Sequence, residues 1–184
     1  MGLYKQTIEE IILHLENFKE NFGDEGPIEK GVQNLLDARK IFIYGAGRSG
    51  MVGRMCAQRL MHLGLSTYFL SETLTPRFTS DDCLVVISGS GETLSPISIS
   101  KGAQEIGGKI IALTANPHST IGKIADHTII VKGQTKDAKQ EALAPFTSLF
   151  DITALVVLDS MTRVIMNRIG KTEEDIQRTH ASIE

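Results

Sequence analysis

The chain has 184 residues, of which 41% are hydrophobic and 22% are charged, and 19 Lys and Arg residues against 22 Asp and Glu residues give a net charge of −3. This length and composition are typical of one domain with a full hydrophobic core. The weak negative charge argues against nucleic-acid binding, and no apolar run approaches the roughly 20 residues that span a bilayer. The first residues lack a secretory signal pattern. We therefore expect a cytoplasmic protein without nucleic-acid or membrane partners.

Residues 1–38 are predicted to form two helices, and residues 39–184 an α/β core with C-terminal helices. Apolar residues recur at helical spacing over residues 3–22, and a second helix is expected after Pro27. Short β-rich runs then alternate with helix-like stretches, at residues 41–44, 67–70, 84–87, 110–113 and 128–131. This alternation predicts a three-layer, doubly wound, five-stranded parallel sheet with the flavodoxin-like strand order 2-1-3-4-5. No repeat or composition shift divides the chain, so residues 1–184 are expected to be a single domain.

An unusually apolar helix is predicted from Pro145 to about Arg168. Its apolar residues occupy nearly the whole helical circumference, so it must be covered on more than one side. The sheet can cover one side, and either a partner subunit or the N-terminal helix can cover the other. We expect a homo-oligomer, a homotetramer built on this helix. The alternative is that the N-terminal helix covers the second side.

The first predicted strand ends in a glycine-rich turn, residues 45–50, with the sequence GAGRSG. Gly47, Arg48 and Ser49 are its candidate binding residues, because glycines admit a ligand close to the backbone and the free N–H groups of a helix start attract an anion. The turn also fits the GxGxxG fingerprint of dinucleotide-binding proteins, in which Glu72, near the end of the second strand, would bind a ribose. By itself this turn leaves both ligands open.

The third predicted strand ends in a second such turn, residues 88–93, with the sequence SGSGET. Hydroxyls and glycines around a helix start form a binding site for one phosphate group. The candidate residues are Ser88, Gly89, Ser90, Gly91 and Thr93. Strands 1 and 3 flank the point where the strand order reverses, so both turns are expected to face one crevice. Helix capping and chain turning explain either turn alone, but the two together favour a functional site that binds phosphate.

Several segments together resemble the sugar isomerase (SIS) domain family and its 6-phospho-3-hexuloisomerase branch. They are the two turns, RLMHLG at residues 59–64, ETLTP at 72–76, LAP at 143–145 and HASIE at 180–184. The resemblance implies interconversion of a 6-phosphorylated 3-hexulose and fructose 6-phosphate in the ribulose monophosphate pathway of formaldehyde fixation. Moving the carbonyl from C3 to C2 requires a carboxylate base and an enediol intermediate, with neither a metal nor a redox cofactor.

The resemblance points to a carboxylate on the helix after the last strand. Family members have a Phe-Glu pair there, whereas this chain has Phe150 and Asp151, one methylene shorter. Asp151 is the favoured base and Glu72 the alternative, while a helix-dipole acid is the structural explanation for Asp151. His62 and His180 lie in family-like segments, and the chain end that carries His180 could reach the crevice of a neighbouring subunit. Arg48 is expected to bind a substrate oxygen.

Three further functions compete with this interpretation. GxGxxG and Glu72 support a dinucleotide-binding protein, although the second turn and the lack of a substrate domain oppose it. A non-catalytic sugar-phosphate sensor usually carries a DNA-binding module, and no basic helix-turn-helix is evident. An arabinose 5-phosphate isomerase commonly adds a pair of nucleotide-sensing repeats, of which the sequence has no trace.

Overall fold

The computed structural model describes residues 2–133 and 142–182, and these contain a five-stranded sheet with helices on both faces. The strands are β1 (Ile41–Gly45), β2 (Thr67–Phe69), β3 (Cys83–Ile87), β4 (Lys109–Thr114) and β5 (His127–Ile130). The helices are α1 (Leu3–Glu20), α2 (Gly26–Asp37), α3 (Arg48–His62), α4 (Leu94–Ile106), α5 (Thr120–Ile124), α6 (Ser148–Arg168) and α7 (Glu173–Thr179).

All neighbouring strands are parallel, and their order in the sheet is β2-β1-β3-β4-β5. The predicted α/β fold and strand order are therefore confirmed. Each predicted strand boundary lies within one residue of the observed one. The prediction succeeds because the central strands β1, β3 and β4 are apolar runs that are buried almost throughout. A parallel sheet covered on both faces requires such continuous apolar strands.

Side chains from the two faces of the sheet enter two separate hydrophobic cores. Along β1, Ile41 and Ile43 pack in one core and Phe42 in the other, because successive strand residues point to opposite faces. The first core also holds residues of α1, α2, α3 and α6, and the second holds residues of α4 and α5. The predicted three layers follow from this division.

The apolar helix α6 is covered mainly by the chain itself. Its buried side chains include Phe150, Val157 and Ile165, and it packs against α1, α2 and α3. The sequence left open whether a partner subunit or the N-terminal helix covers α6. Helices of the same chain cover most of its surface. The helix therefore does not by itself require a partner subunit. None of the described helices is long and apolar enough to cross a membrane.

Helix α3 connects two opposite ends of the molecule. It begins at Arg48, beside the carboxyl end of β1, and its 15 residues at about 1.5 Å each carry the chain roughly 22 Å to His62. There α7 packs against it, and the Thr179 hydroxyl donates a hydrogen bond of 2.8 Å to the His62 carbonyl oxygen. The C-terminal segment is thus attached at the end of α3 that is remote from the first glycine turn.

Candidate active site

Both glycine-rich turns open into one cleft at the carboxyl ends of β1 and β3. Backbone and side chains from both turns and from the start of α6 line it, namely Ala46, Gly47, Arg48, Ser49, Ile87, Ser88, Gly89, Ser90, Thr93, Phe146, Thr147 and Phe150. The strand order reverses between these two strands, which is where open α/β sheets bind their ligands. The fold thus brings the two turns together at one position.

Two glycines of the first turn are required by contact between β1 and α3. A Cβ atom on Gly50 would lie 2.5 Å from the carbonyl oxygen of Gly45, and one on Gly45 would lie 2.8 Å from the Ser49 backbone. Gly47 differs, because its φ of 59° favours glycine while the space around it is open. In the GxGxxG pattern, Gly45 and Gly50 therefore allow close packing of the strand and the helix, and Gly47 has an accessible backbone.

Asp151, in the first turn of α6, joins that helix to the first glycine turn. Its buried carboxylate accepts hydrogen bonds from Arg48 Nε at 3.0 Å and Thr147 Oγ1 at 2.8 Å on Oδ2. Oδ1 accepts a hydrogen bond from Ser49 Oγ at 3.0 Å. Arg48 and Ser49 also line the cleft. Asp151 therefore lies directly behind two donors that a bound ligand would meet.

This carboxylate bears on the dinucleotide hypothesis. A Rossmann protein leaves the helix start after its first glycine turn open for a pyrophosphate. Here the negative charge of Asp151 already lies against Arg48 and Ser49 of that turn. This carboxylate makes the first turn a less favourable position for a second anion, which favours the second turn as the anion-binding candidate.

The second glycine-rich turn has hydroxyls that are free to bind a ligand. Thr93 occupies the N-cap position of α4 without making a side-chain cap, and neither its hydroxyl nor that of Ser88 has a partner among the described residues. Ser90 Oγ accepts a hydrogen bond of 3.2 Å from the Glu92 amide. Helix capping, the structural explanation for these residues, is therefore not what Thr93 does. The turn offers hydroxyls and helix N–H groups to an anion.

Residues of β4 and the following loop hold the second turn in place. Thr114 Oγ1 and the Ala115 amide donate hydrogen bonds of 3.1 Å and 3.0 Å to the Gly89 carbonyl oxygen. Gly91 has a φ of 67°, and a Cβ atom there would lie 2.0 Å from Ser119 Oγ. The position requires glycine because of both its conformation and its contact with Ser119.

Glu92 connects the same turn to the start of α5. Its carboxylate accepts hydrogen bonds of 2.8 Å from both the amide and the hydroxyl of Thr120. These hydrogen bonds lower the pKa of the Glu92 carboxyl group below its ordinary value of 4.5, and the nearby positive charge of Lys123 acts in the same direction. The phosphate-binding candidate is thus anchored by an ionised side chain.

The alternative base, Glu72, does not line the cleft. It follows the edge strand β2, where its carboxylate accepts a hydrogen bond of 2.6 Å from Arg54. The Arg54 guanidinium lies 3.8 Å from the centre of the Phe69 ring, and both members of the ion pair are half-exposed. Glu72 therefore belongs to a surface cluster on α3 and β2.

The two candidate histidines lie together at the far end of α3. Their ring centres are 5.3 Å apart, and the buried His62 Nδ1 atom has no hydrogen-bond partner among the residues that the structure describes. Burial chiefly, and then the nearby charges of His180 and Arg59, lower the pKa of His62. The fold does not bring this pair to the cleft of its own chain, because the length of α3 separates them. Ile183 and Glu184 lie outside the described residues.

Comparison with known proteins bears directly on this cleft. The model of the SIS domain family matches residues 34–158, a segment that contains both glycine-rich turns and Asp151. The chain belongs to the SIS domain family.

Several similar proteins carry the name of the same activity. The chain is 37% identical over 172 residues to the 3-hexulose-6-phosphate isomerase of Methanocaldococcus jannaschii, covering 94% of this SIS protein and 92% of the relative. It is 35% identical over 182 residues to the enzyme of that name from Bacillus subtilis, covering 97% and 98% of the two chains. The resemblance seen in the sequence is thus confirmed.

A solved structure is similar to this SIS protein in both fold and sequence. It is a Methanococcus jannaschii protein whose crystal structure was described as inferring a 3-hexulose-6-phosphate isomerase function. The two chains superpose with a TM-score of 0.83 at 35% identity, and the match covers 98% of each. The layers and strand order described above are therefore those of a SIS domain.

Two residues that line the cleft of this SIS domain were not identified from the sequence. Phe146 and Thr147 precede α6 and form part of the cleft wall. Thr147 is a β-branched residue with a φ of 63°, a conformation that such residues rarely adopt. The family-like LAP segment immediately before them was the available signal.

The described residues offer no metal centre and no reactive thiol. No three His, Cys, Asp or Glu side chains among them converge in a way that could hold a metal ion. Burial raises the pKa of both Cys56 and Cys83 to about 12, so these thiols remain protonated.

Proposed function

We propose that this SIS protein is a phosphosugar isomerase that interconverts D-arabino-3-hexulose 6-phosphate and fructose 6-phosphate. The observation that carries the proposal is the single cleft in which a phosphate-binding turn faces two donors backed by a buried carboxylate. The names of the relatives support the same substrate class. A ribulose monophosphate pathway is the metabolic setting in which such a substrate arises.

The phosphate group would bind at the second turn. The free hydroxyls of Ser88 and Thr93, together with Ser90 and the first N–H groups of α4, supply several donors to one anion. The rest of the sugar chain would then extend across the cleft towards Arg48 and the Phe146 wall. Since the 6-oxygen carries the phosphate, it cannot close a five-membered ring onto C3, and the substrate enters as an open chain.

The reaction moves one proton from C2 to C3 and another from the C2 hydroxyl to the C3 oxygen. A base removes the proton from C2 while the C3 carbonyl oxygen takes up a proton, which gives an enediol. The C2 hydroxyl then loses its proton as the C2 carbonyl forms, and C3 accepts a proton from the base. Donors aimed at both oxygens stabilise the developing negative charge, and no metal or redox cofactor takes part in these steps.

Asp151 is the carboxylate that we assign to proton transfer. Arg48 and Ser49 line the cleft and contact Asp151 at 3.0 Å each, so substrate oxygens bound to these donors would lie beside the carboxylate. Glu72 is held by Arg54 outside the cleft. The side chain of Glu72 is one methylene longer than that of Asp151, but it is Asp151 that contacts residues lining the cleft.

We further propose that the protein is a homo-oligomer, as a homotetramer, in which His62 and His180 serve the cleft of a neighbouring subunit. The pair lies about 22 Å from the cleft of its own chain along α3, so another copy must supply it. Apolar side chains on the outer faces of α1 and α3 are exposed and provide surfaces for such contacts; they include Tyr4, Ile8, Ile12, Met51 and Met55.

A coupled assay tests the proposed function. Ribulose 5-phosphate, formaldehyde and a hexulose-phosphate synthase generate the substrate, and fructose 6-phosphate is followed through coupled NADPH formation. We expect turnover that depends on this protein. Conversion of arabinose 5-phosphate alone would favour that isomerase instead, and binding of sugar phosphate without turnover would favour a sensor. Micromolar binding of NAD or NADP would favour a dinucleotide-binding protein.

A further inference from the structure

Glu10, near the middle of α1, accepts hydrogen bonds from the chain segment that leads into the cleft. Its Oε1 atom accepts a hydrogen bond of 3.0 Å from the Leu143 amide, and its Oε2 atom accepts one of 2.7 Å from the Ala144 amide. Two neighbouring backbone N–H groups on one carboxylate form a bidentate contact, which fixes direction as well as distance. The contact joins residues that are more than 130 positions apart in the sequence.

The segment that Glu10 holds, residues 142–147, forms the start of the cleft wall. It ends in Phe146 and Thr147, which line the cleft. The Ser148 amide donates to the Pro145 carbonyl oxygen at 2.9 Å, so the segment continues directly into the first turn of α6. Thr147 then contacts Asp151 through its hydroxyl. A displacement of residues 143 and 144 would therefore move the wall.

Burial makes the contact difficult to replace with water. Ala144 is only 2% exposed, so without Glu10 its N–H group would remain buried and unsatisfied. The rest of α1 packs lightly, with Phe18 as its buried residue. A second polar contact, between His14 Nε2 and Thr153 Oγ1 at 2.9 Å, joins α1 to α6 one turn further along. The polar residues of α1 thus face the element that carries Asp151.

We propose that Glu10 is a positioning residue for the cleft: it holds residues 142–147 so that Phe146 and Thr147 form the wall against which the sugar chain packs. The proposal deepens the proposed function and rests on it. Glu10 does not touch the substrate, and the phosphate-binding turn is anchored separately by Thr114, Ala115 and Glu92. Loss of Glu10 should therefore weaken contacts with the sugar chain while phosphate binding is retained.

The test compares Glu10→Gln with Glu9→Gln, a control at an exposed neighbouring position on the same helix. The amide of the Gln side chain retains one acceptor oxygen and places an NH₂ group against a backbone donor. We expect the KM for the 3-hexulose 6-phosphate to rise roughly tenfold in Glu10→Gln, since small displacements of positioning groups have large effects. The dissociation constant for inorganic phosphate should remain unchanged in both variants. A smaller folded fraction would alter neither constant.

Hydrogen exchange supplies a readout that does not depend on activity. The amides of Leu143 and Ala144 should exchange faster in Glu10→Gln than in the wild type or in Glu9→Gln. If the wild type has no isomerase activity, the proposed function is wrong. Faster exchange in Glu10→Gln would then still show that Glu10 holds the segment in place. An unchanged KM, or unchanged exchange, would overturn the proposal. If Glu10→Gln does not fold, Glu10→Asp, which keeps both acceptor oxygens on a shorter chain, is measured in the same way.

Discussion

Asp151 is buried, and it also contacts Arg48 and Ser49, two hydrogen-bond donors that line the cleft. Proton transfer by a positioned carboxylate contributes roughly 10²- to 10⁴-fold in rate. We therefore expect Asp151→Asn to lower kcat by at least about a hundredfold in the coupled assay, because the amide cannot accept the C2 proton. Asp151→Glu should keep substantial activity, since it keeps the carboxylate and adds one methylene.

Glu72→Gln is the matched control for that prediction. It removes a carboxylate that pairs with Arg54 outside the cleft, so turnover should remain close to that of the wild type. Near-normal turnover of Asp151→Asn together with a severe loss in Glu72→Gln would move the assignment to Glu72. Asp151 would then be an acid that serves the dipole and the packing of α6.

Thr147 offers a test of backbone strain at the cleft wall. Its φ of 63° is unfavourable for any residue with a Cβ atom, and its hydroxyl donates a hydrogen bond of 2.8 Å to Asp151. Thr147→Gly and Thr147→Ala both lose this hydrogen bond, but only glycine relieves the strain. We expect the glycine variant to be more stable by about 1 kcal/mol in chemical denaturation. Without such strain, glycine would be the less stable variant by about 0.5–1 kcal/mol because of its greater backbone entropy in the unfolded chain, and that result would contradict the prediction.

The sequence identified the turns and Asp151 but not the contacts between them. Composition and spacing place a hydroxyl or a carboxylate on an element. They do not give the rotation of α6 that brings Asp151 to Ser49, a contact across 102 positions. Glu10 and Thr147 were not predicted for the same reason, because neither residue lies in a motif that indicates a function. These contacts depend on how the helices pack over the sheet. The sequence pattern predicts that a helix lies in a layer, but not its position or rotation within that layer.

At the scale of elements, the junction of β3 and α4 should carry phosphate binding. Each hydrogen bond to a charged group contributes about 1.5–3 kcal/mol, so Ser90→Ala combined with Thr93→Ala should raise the KM by roughly a hundredfold or more. Ser98→Ala, at an exposed position on the same helix, is the control and should leave the KM unchanged. Competition by inorganic phosphate should weaken in parallel. An unchanged KM in the double variant would remove phosphate binding from this turn.

The contact between this turn and α5 should depend on pH. The folded state lowers the pKa of Glu92, so the contact stabilises the protein above the ordinary pKa of 4.5 and the stabilisation is lost as the pH falls through the lowered value. Glu92→Gln should therefore have a lower Tm than the wild type at about pH 7, with a difference that shrinks on acidification to about pH 3. Thermal denaturation across that range measures both. A constant difference would contradict the assigned ionisation.

The prediction for α6 shows how far an element can be interpreted from its pattern. An apolar circumference correctly indicated cover on several sides, but the pattern is the same for cover by a partner and by the chain itself. The structure places α1, α2 and α3 around the helix. The choice depended on where the N-terminal helices pack, and their own amphipathic pattern indicates a buried face without naming the surface that buries it.

At the scale of the whole molecule, a complete site requires more than one chain if the histidine pair takes part. The cleft lies at the start of α3 and the pair at its end. Light scattering at micromolar concentration should therefore show an oligomer, and His180→Ala should lower turnover without changing the dissociation constant for inorganic phosphate. A monomer with full activity would contradict both expectations.

Mixed oligomers decide whether the site is shared. In a site made by two subunits, Asp151 comes from one chain and His180 from the other. Subunits of Asp151→Asn and His180→Ala each have lowered turnover alone. They should recover activity when they are dissociated and reassembled together, because some clefts then receive both wild-type side chains. The control mixes Asp151→Asn with the double variant Asp151→Asn/His180→Ala, in which no cleft has an intact Asp151. If the first mixture is as inactive as the control, then Asp151 and His180 do not act in one cleft from two different chains, and the shared site is refuted.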